Sequence, residues 1–410
     1  MIELVDKKDC CGCNACVSKC PKQCIKMEED YEGFLYPVID KGVCIDCGLC
    51  EKVCPVINQN NPGKPLKVYA AKNQDEKIRM ESSSGGIFTL LAEYVLSEGG
   101  VVFGAKFNKD WEVIHDYTET SEGLAVFRGS KYVQSQIGET YRQAEEFLKQ
   151  GRKVLFSGTP CQIAGLKLFL RREYVNLLAV DFVCHGVPSP KVFRMYLNET
   201  IARQGVDGEK TVLSYPIDKR SLINDIKFRD KRLGWKKYSF ALTLSVPLEK
   251  EEKSILFSEP LTENVFMKGF LKDLYLRPSC YQCPSKSFKS GSDLSIADYW
   301  GIQNVLQDFD DDMGVSLVLV NTEKGETIYK NINVISVETS YQKAFQYNPC
   351  LEINVKLPKS RKIFYNSFEC ISLYELVYKS TYIPLYIRLK FKIIQSIYLL
   401  FSMISKRMKL

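Results

Sequence analysis

Histidine is scarce in this 410-residue sequence, which contains only His115 and His185. A metal centre built mainly on imidazole ligands is therefore disfavoured. The sequence also lacks a nucleophile elbow, a phosphate-binding loop of the G-x4-G-K type and a recognisable metal-bound water site. Few groups in the chain suit hydrolysis, so the hydrolase classes are poor candidates for its function.

An apolar leader is absent from the N-terminal end, where MIELVDKKDCC carries charges in place of the apolar region of a secretory signal. We therefore expect a cytoplasmic protein. In reducing surroundings the 16 cysteines serve mostly as metal ligands or redox groups, not as disulfides. Hydrophobic residues make up 45% of the chain, enough for a sizeable core, and the length suggests two to three domains.

Two cysteine blocks repeat within residues 1–57. The blocks are CCGCNACVSKCP and CIDCGLCEKVCP, and each follows the spacing C-x2-C-x2-C-x3-C-P. This is the bacterial ferredoxin pattern for two [4Fe-4S] clusters, in which the fourth cysteine of each block reaches the other cluster. The spacing predicts that one cluster is held by Cys10, Cys13, Cys16 and Cys54, and the other by Cys44, Cys47, Cys50 and Cys20.

Zinc is the alternative for these blocks, but zinc sites usually pair two C-x2-C units, which fits the spacing poorly. Cys11 and Cys24 lie outside the pattern and are interpreted as packing residues. The net charge of +7 counts thiols as neutral. Three four-iron clusters with thiolate ligands, at about −2 each, would bring it to about +1. We therefore do not read the charge as a nucleic-acid footprint, and we expect no nucleic-acid partner.

The stretch NQNNPGKPLK is polar and contains proline and glycine, so residues 58–66 are predicted to be a linker. Alternating strand and helix patterns then predict an α/β domain over residues 67–350, with an N-terminal part at 67–150 and a C-terminal part at 151–350. In ESSSGGIFTLLAEYVLSEGGVVFGAKF, a serine-capped helix with glycines at its start precedes a strand. Such a helix start can bind a pyrophosphate, but by itself the pattern favours a capped helix that packs closely through glycine.

A β-α-β unit is predicted around two further cysteines. KVLFS reads as a strand, the segment from Cys161 as a helix of about ten residues, and VNLLAVDFV as a second, parallel strand. Cys161 and Cys184 follow the carboxyl ends of these strands, where open α/β sheets bind their ligands. They could complete a four-cysteine site with the C-x2-C pair of RPSCYQCPSK, Cys280 and Cys283. Two buried cysteines and an unrelated knuckle or loop remain the alternative.

Six motifs occur in the same order as in a known protein family. They are SSSGGIFTLLAEYVL, RGSKYVQS, FSGTPCQIAGLK, DFVCHGVPSP, RPSCYQCPSK and ADYWGI, and they span about residues 67–320. Together they resemble the family of beta subunits of the deazaflavin-coenzyme-dependent hydrogenases and dehydrogenases, which includes 7-hydroxymethyl chlorophyll a reductase. Here a ferredoxin module is fused in front. The resemblance implies an α+β ferredoxin-like module followed by the α/β domain of that family.

The resemblance implies an iron–sulfur flavoprotein with FAD and a third [4Fe-4S] cluster. Its implied ligands for the third cluster are Cys161, Cys184, Cys280 and Cys283. The implied contacts to FAD are Ser84, Gly85, Gly86 and Thr89 at the pyrophosphate and Gly129, Ser130, Lys131 and Tyr132 at the flavin. Lys131 and His185 are the candidates for a catalytic role. The alternative interpretations are a solvated surface lysine for Lys131 and a buried structural histidine for His185. Asp298 and Trp300 are expected near this site, or else in a turn and a core.

Electrons are expected to pass from the two N-terminal clusters through the third cluster to FAD and an organic acceptor. The donor would be a redox partner protein or reduced ferredoxin. Related fused chains occur in bacteria without the deazaflavin coenzyme, often beside polysaccharide biosynthesis enzymes, so the resemblance does not identify the acceptor. Two alternatives remain open: a non-catalytic electron-transfer subunit of a partner enzyme, and an iron–sulfur scaffold without flavin.

The C-terminal residues 351–410 are predicted to be a helical tail that is both apolar and basic. After Lys392 the apolar run extends to Ile404, about 12 residues, which is too short to span a bilayer. A helix lying on a membrane surface through residues 383–410 and a helix docked on the protein are both compatible with this pattern.

Overall fold

The computed structural model describes the chain except for Met1, Leu4, Val5 and residues 204–221, 248–251 and 383–410. In chain order the strands are β1 (Ile25–Glu29), β2 (Leu35–Ile39), β3 (Lys67–Asn73), β4 (Val101–Phe107), β5 (Val113–Thr118), β6 (Val154–Gly158), β7 (Leu177–Phe182), β8 (Ile223–Asp230), β9 (Ser239–Pro247), β10 (Glu252–Pro260), β11 (Leu294–Asp298), β12 (Ser316–Val320) and β13 (Val334–Glu338).

The helices are α1 (Ala15–Lys19), α2 (Leu49–Lys52), α3 (Glu76–Glu81), α4 (Ile87–Ser97), α5 (Thr140–Lys149), α6 (Pro160–Leu170), α7 (Pro190–Ile201), α8 (Val265–Leu271), α9 (Ile302–Val305), α10 (Glu323–Asn331), α11 (Tyr341–Tyr347), α12 (Ser360–Asn366) and α13 (Leu373–Thr381). Short 3-10 turns are Lys7–Asp9, Glu122–Phe127, Pro278–Gln282, Gln307–Phe309 and Pro349–Leu351.

Residues 1–57, hereafter the head, carry both cysteine blocks. Each block contains a short helix, α1 or α2, and the segment between the blocks forms the antiparallel hairpin β1–β2. Gly33 turns the hairpin with a φ of +87°, a conformation that favours glycine. No helix or strand lies in residues 58–66, and β3 begins at Lys67.

An eight-stranded mixed sheet forms the centre of the α/β domain, in the order β13-β3-β12-β11-β7-β6-β4-β5. β4, β6, β7 and β11 are parallel, and antiparallel strands complete the sheet on both sides. The inner strands β6, β7 and β12 are almost wholly buried, as expected for short apolar runs covered on both faces. The fold class predicted from the sequence is confirmed.

A second, three-stranded antiparallel sheet, in the order β10-β9-β8, packs with α7 and α8. Aromatic side chains dominate this contact, and the ring of Phe193 lies 5.2 Å from those of Phe228 and Phe266. Helix α13 adds Leu376 and Val377 to the same core. The first part of the predicted C-terminal tail is thus helical and docked, whereas the membrane-surface helix falls on residues 383–410, outside the described residues.

Across the described residues, no helix combines the length and the hydropathy needed to cross a bilayer.

The head docks on the α/β domain through buried polar contacts. The side chain of Arg277 is fully buried and donates to Cys10 O at 2.7 Å, Leu35 O at 2.9 Å and Gln134 Oε1 at 2.9 Å. Its guanidinium also lies 4.3 Å from the centre of the Tyr36 ring. One cation thus joins the first cysteine block and the hairpin of the head to the loop before Cys280.

Glycines and ion pairs complete this interface. A Cβ on Gly33 would lie 2.2 Å from the Cβ of Lys191, so the hairpin turn touches α7 with no room for a side chain. Arg194 on α7 pairs with Glu29 of β1 at 2.6 Å. Arg361 on α12 donates to Glu32 at 2.8 Å. The head is therefore held by contacts spread along its hairpin as well as by Arg277.

We predict that Arg277→Ala loosens the head. The change leaves three partly buried acceptors without their donor, and each unsatisfied group costs about 1–3 kcal/mol, so the free energy of unfolding should fall by roughly 3–5 kcal/mol. Thermal unfolding and the rate of proteolysis within residues 58–66 measure the effect. Arg172→Ala is the matched control, because Arg172 is exposed and lies against the Tyr174 ring. Equal losses in the two variants would contradict the role given to Arg277.

Candidate functional site

The eight head cysteines of the repeated pattern surround two separate pockets. One pocket, of about 360 Å³, is lined by Cys10, Cys13, Cys16 and Cys54. The other, also about 360 Å³, is lined by Cys20, Cys44, Cys47 and Cys50. The structure thus brings together the two crossed sets expected from the spacing, each with three cysteines of one block and the fourth cysteine of the other. Ligation of iron by these thiols stays a prediction.

The chemistry of these thiols fits iron–sulfur clusters. Burial, followed by the neighbouring thiols of Cys10 and Cys54, raises the pKa of Cys16 to about 12. A group of buried thiols that disfavours its own ionisation requires a strongly positive partner to become thiolate, and iron supplies one. The backbone N–H of Ile2 donates to Cys50 Sγ at 3.3 Å, the type of hydrogen bond that tunes cluster potentials.

Cys11 and Cys24 are buried, as the packing interpretation requires, but each also lines one of the two pockets. The sulfur of Cys24 lies 3.4 Å from that of Cys20. Among the described residues, no three His, Cys, Asp or Glu side chains converge on a point that would suit a single metal ion.

The other four predicted ligands lie at the carboxyl edge of the central sheet. β6 and β7 are parallel neighbours, as expected, and Cys161 and Cys184 follow them. Cys161 occupies the first turn of α6, which Pro160 begins. Thr159 caps this helix through a capping box with Gln162, at 2.9 Å from Thr159 N to Gln162 Oε1. This cap fixes the direction in which the Cys161 thiol leaves the sheet.

The loop that carries Cys280 and Cys283 pairs with the loop that follows Cys184. Arg277 N donates to Val187 O at 3.0 Å, and Val187 N in turn donates to Cys280 Sγ at 3.4 Å. Pro278 begins the 3-10 turn that contains Cys280. Backbone pairing between the two loops therefore brings the C-x2-C pair to the sheet edge.

The four thiols form one electrostatic group. Burial raises the pKa of Cys280 to about 12 and that of Cys283 to about 11, and the Cys161 thiol adds to both shifts. Burial followed by the neighbouring thiols also raises the pKa of Cys184. Cys184 and Cys283 line a pocket of about 370 Å³, whereas Cys161 and Cys280 are not among its lining residues. The four residues fit a third cluster by donor type and proximity, and their ligation remains a prediction.

The Cys11 thiol connects the two kinds of site. Cys11 packs in one cluster with Cys13 and Cys161, and the Cys13 thiol is the largest cause of the raised pKa of the Cys11 thiol. On α6, one turn after Cys161, a Cβ on Gly165 would lie 3.0 Å from Cys13 Sγ. The glycine thus lets the helix approach the head closely. Sequence reasoning gave neither Cys11 nor Gly165 this role, because no motif marks a contact between two domains.

The two segments expected to bind FAD contact each other. Ser130 N and Ser130 Oγ both hydrogen-bond Ser83 Oγ, at 2.6 and 2.8 Å. Segment 82–86 leads into α4, whose N-cap residue Gly86 has a φ of +80° and provides no side-chain cap, so the predicted serine cap is wrong. The first N–H groups of α4 therefore lack a side-chain acceptor, as an anion-binding helix start requires.

Two cations stand beside this helix start. Arg128 donates to Thr89 Oγ1 at 3.3 Å and pairs with Glu81 at 2.7 Å. Lys131 Nζ donates to the carbonyl oxygens of Val126 and Arg128, and burial lowers its pKa to about 7. The donor set fits a pyrophosphate. Arg128 begins the RGSKYVQS motif, yet the motif alone did not point to a contact for it.

Packing alone also accounts for part of this motif. A Cβ on Gly85 would lie 2.4 Å from Ala71 O and 2.7 Å from Ser316 N, so the chain touches the backbones of β3 and β12 there. Ser84 Oγ donates to Val315 O at 2.9 Å. Packing explains Gly85 and a hydrogen bond explains Ser84 without any ligand, so the assignment of both residues to FAD remains a prediction.

Asp298 and Trp300 lie next to the flavin segment and also have structural partners. Both carboxylate oxygens of Asp298 accept from the buried Arg229, at 2.6 and 3.1 Å, and Trp235 Nε1 donates to Asp298 Oδ1 at 2.8 Å. Trp300 stacks on Trp235 with 5.1 Å between ring centres. Arg229 reaches Tyr132 Oη at 3.4 Å, which joins this cluster to the predicted flavin contacts.

His185 is placed between the third cysteine group and the flavin segment. Its Nε2 lies 2.6 Å from Asp273 Oδ1. Burial by itself would lower the pKa of His185, but the hydrogen bonds with Asp273 and Cys350 outweigh it and raise that pKa to about 9. The His185 ring packs edge-on against Phe270 at 5.2 Å, and Phe270 stacks on Tyr132 at 4.9 Å. Asp273 and Phe270 carry no motif that sequence reasoning could have used.

Family models match three stretches of the chain. The models of the coenzyme F420 hydrogenase/dehydrogenase beta subunit match residues 68–140 with their N-terminal part and residues 151–341 with their C-terminal part. A 4Fe-4S dicluster domain model matches residues 9–58.

Similar proteins include the coenzyme F420-dependent sulfite reductase of Methanocaldococcus jannaschii, 26% identical over 253 residues, which are 58% of this chain and 39% of that protein. A component of the F(420)H(2) dehydrogenase of Methanosarcina mazei is 26% identical over 200 residues, 44% of this chain and 55% of that protein. The chain thus spans roughly two fifths and just over half of these two relatives.

A 64-residue stretch, 15% of this chain, is 42% identical to the 7Fe ferredoxin of Hydrogenibacillus schlegelii and covers 76% of it. Among solved structures, a chain of the F420-reducing [NiFe] hydrogenase complex of Methanosarcina barkeri aligns with 78% of this chain and 91% of its own length, at 18% identity and a TM-score of 0.41. The family matches, which together cover more than half of the chain, and the ferredoxin match lead to one assignment. The chain belongs to the family of coenzyme F420 hydrogenase/dehydrogenase beta subunits, with a 4Fe-4S ferredoxin domain at its N-terminal end.

Proposed function

We propose that the chain is an iron–sulfur flavoprotein that moves electrons between a redox partner at the head and an organic acceptor at a flavin in the α/β domain. The observation that carries this proposal is the packing of Cys11 in one cluster with Cys13 of the head and Cys161 of the sheet edge. Iron–sulfur clusters exchange single electrons, and a flavin converts them into two-electron steps.

The exposure of the head cysteines supports a direction for this transfer. At the head, Cys47 is exposed, so the group of Cys20, Cys44, Cys47 and Cys50 is the one open to a partner. In the other group, Cys13 is buried and lies against α6. Electrons would enter or leave at the exposed group and cross to the sheet edge at Cys11.

Beyond the third cysteine group, closely packed rings lead towards the flavin segment. Cys184 precedes His185, which touches Phe270, which stacks on Tyr132. Arg128, Lys131 and the uncapped start of α4 would neutralise the pyrophosphate of FAD. These contacts would hold the cofactor with its ring system near the relay.

The identity of the acceptor is the open part of the proposal. The M. jannaschii and M. mazei relatives are named for coenzyme F420, and a deazaflavin is accordingly one candidate. The link to polysaccharide biosynthesis derives from the family resemblance alone. We assign the acceptor to the class of small organic hydride carriers or substrates.

The proposal predicts the cofactor content. Protein purified without oxygen should contain about twelve irons and a visible flavin spectrum, because each cubane holds four irons. Iron analysis and flavin release after denaturation measure both. About eight irons without flavin would rule out the third cluster and the flavin enzyme together. About twelve irons without flavin would favour the electron-transfer subunit or the scaffold.

A variant tests the third group specifically. Cys280→Ala should remove about four irons from the purified protein, since a four-cysteine cluster rarely survives the loss of one ligand. Cys370→Ala is the matched control, because Cys370 is exposed and belongs to none of the cysteine groups. An unchanged iron content in Cys280→Ala would refute its assignment.

Lys131 should make FAD binding dependent on pH. In the free protein its pKa is about 7, and a bound phosphate stabilises the charged form. The affinity should therefore fall as the pH rises from 7 to 9, by up to about tenfold per pH unit. Titration of flavin-depleted protein with FAD measures this by fluorescence quenching. Lys131→Gln should bind more weakly and lose this dependence, whereas Lys109→Gln, at an exposed turn, should keep it. A parallel pH profile in Lys131→Gln would contradict the assignment.

A further inference from the structure

The guanidinium of Arg277 touches a predicted cluster ligand as well as the backbone of the head. Arg277 Nη2 donates to Cys10 Sγ at 3.5 Å, and Arg277 Nε donates to Cys10 O at 2.7 Å. A Cβ on Gly12 would lie 2.7 Å from Arg277 Nη1, so the glycine of the first cysteine block leaves the space that the guanidinium occupies. A full positive charge, removed from solvent, thus stands against this block.

The two cysteine groups of the head lie in different surroundings. The inner group consists of Cys10, Cys13, Cys16 and Cys54, and the outer group consists of Cys20, Cys44, Cys47 and Cys50. No cysteine of the inner group is exposed, and among the described residues that line its pocket the charged side chain is the acid Asp9. Cys47 of the outer group is exposed, and so are Lys22 and Asp46, which line its pocket. Water therefore reaches the outer group more readily than the inner group.

These surroundings alone would make the inner group the harder one to reduce. A four-iron cluster with four thiolates carries about −2 when oxidised, and reduction adds one more negative charge. Burial penalises the added charge, and the carboxylate of Asp9 repels it. Without a compensating cation, an electron that entered at Cys47 would remain in the outer group.

Arg277 provides the compensating charge. Its guanidinium is not deprotonated in proteins, so the charge does not depend on pH. Its burial leaves little solvent to screen it, whereas water and salt screen the exposed Lys22 beside the outer group. Hydrogen bonds to the ligand sulfurs also set the reduction potential of a cluster, and Cys10 Sγ accepts such a bond from Arg277.

We propose that Arg277 raises the reduction potential of the inner group to at least that of the outer group, so that electrons entering at Cys47 can move inwards. The inference rests on the proposed function, since it requires iron–sulfur clusters in both groups. One electron leaves the outer group and one electron is added to the inner group, and no bond breaks and no proton moves. Cys280 N donates to Arg277 O at 2.9 Å, so the same residue adjoins the next group on the path.

A purely structural role of Arg277 makes a different prediction. If Arg277 only docked the head, any loss of hydrogen bonds in this contact would disturb the inner group to a similar degree. Gln134 allows the two roles to be separated, because it accepts from Arg277 Nη1 at 2.9 Å and donates to Cys11 O at 3.1 Å. Gln134→Leu therefore removes hydrogen bonds of the contact and leaves the charge of Arg277 in place.

The experiment is a redox titration of holoprotein purified without oxygen, followed by electron paramagnetic resonance. Dysprosium–EDTA, a soluble relaxation agent, broadens the signal of the outer group, because Cys47 is exposed. The signal that is absent from Cys280→Ala belongs to the third group, and the remaining signal belongs to the inner group. In the wild-type protein we expect the inner group to be reduced at the same potential as the outer group or at a higher one.

Variants measure the effect of the charge. Arg277→Gln keeps an amide donor in the contact but removes the charge, and it should lower the ratio of reduced to oxidised inner group at least about tenfold at a fixed potential, which is 59 mV for one electron. The outer group should change less than about twofold. Arg277→Lys keeps the charge and should stay within about threefold of wild type. Lys22→Gln is the matched control, and it should change the outer group less than about twofold.

Three results would overturn the proposal. The first is an inner group whose ratio stays unchanged in Arg277→Gln. The second is an equal shift in Gln134→Leu or Arg277→Lys, which would attribute the effect to docking. The third is a wild-type inner group at least about tenfold harder to reduce than the outer group, and this measurement decides the matter even where Arg277→Gln does not fold.

Iron content is measured on each sample and keeps the two proposals apart. Fewer than about eight irons in the wild-type protein would count against the proposed function, because each cubane holds four. Eight or more irons with an inner potential that does not depend on Arg277 would count against this inference alone.

Discussion

The buried guanidinium of Arg277 is the contact on which the rest of the arrangement depends. It is fully buried, and it bonds the backbone of the first cysteine block and of the hairpin while its own backbone begins the loop of Cys280. A cation in such a position is costly to desolvate unless every donor is used. Here its donors meet carbonyl oxygens, the Gln134 amide and the Cys10 sulfur. Negative charge on a nearby cluster would offset part of that cost, so docking and cluster binding should support each other.

Much of the head could be read from the sequence, because a repeated cysteine spacing constrains both the metal and the chain path. The pairing of Cys54 with the first block and Cys20 with the second follows from that spacing, and the pockets show the same grouping. The β-α-β unit could also be predicted from the sequence, because two apolar runs flank a capped helix. Parallel strands then necessarily place Cys161 and Cys184 at one edge.

Contacts between distant segments could not be read in this way. The roles of Cys11, Gly165 and Asp273 depend on which helix or loop faces the side chain after folding, and nothing in their local sequence marks them. The glycine-rich start of α4 shows the opposite difficulty. A glycine at position 85 is required because the backbones of β3 and β12 lie so close that a side chain would not fit. A glycine here would also suit ligand binding at the uncapped start of α4. Because both explanations require the same residue, the sequence could not distinguish them.

The docked head has a kinetic consequence. Residues 58–66 tether it covalently, and its hairpin and Arg277 fix it against the domain, so the electron transfer that we propose between the group of Cys13 and Cys161 would take place within one molecule. Its rate should be independent of dilution. Exchange through the exposed group at Cys47 is bimolecular and should respond to partner concentration and, where charges steer the encounter, to ionic strength. Under dilute conditions we expect the encounter with the partner at Cys47, and not the electron transfer within the molecule, to be the rate-limiting step of turnover.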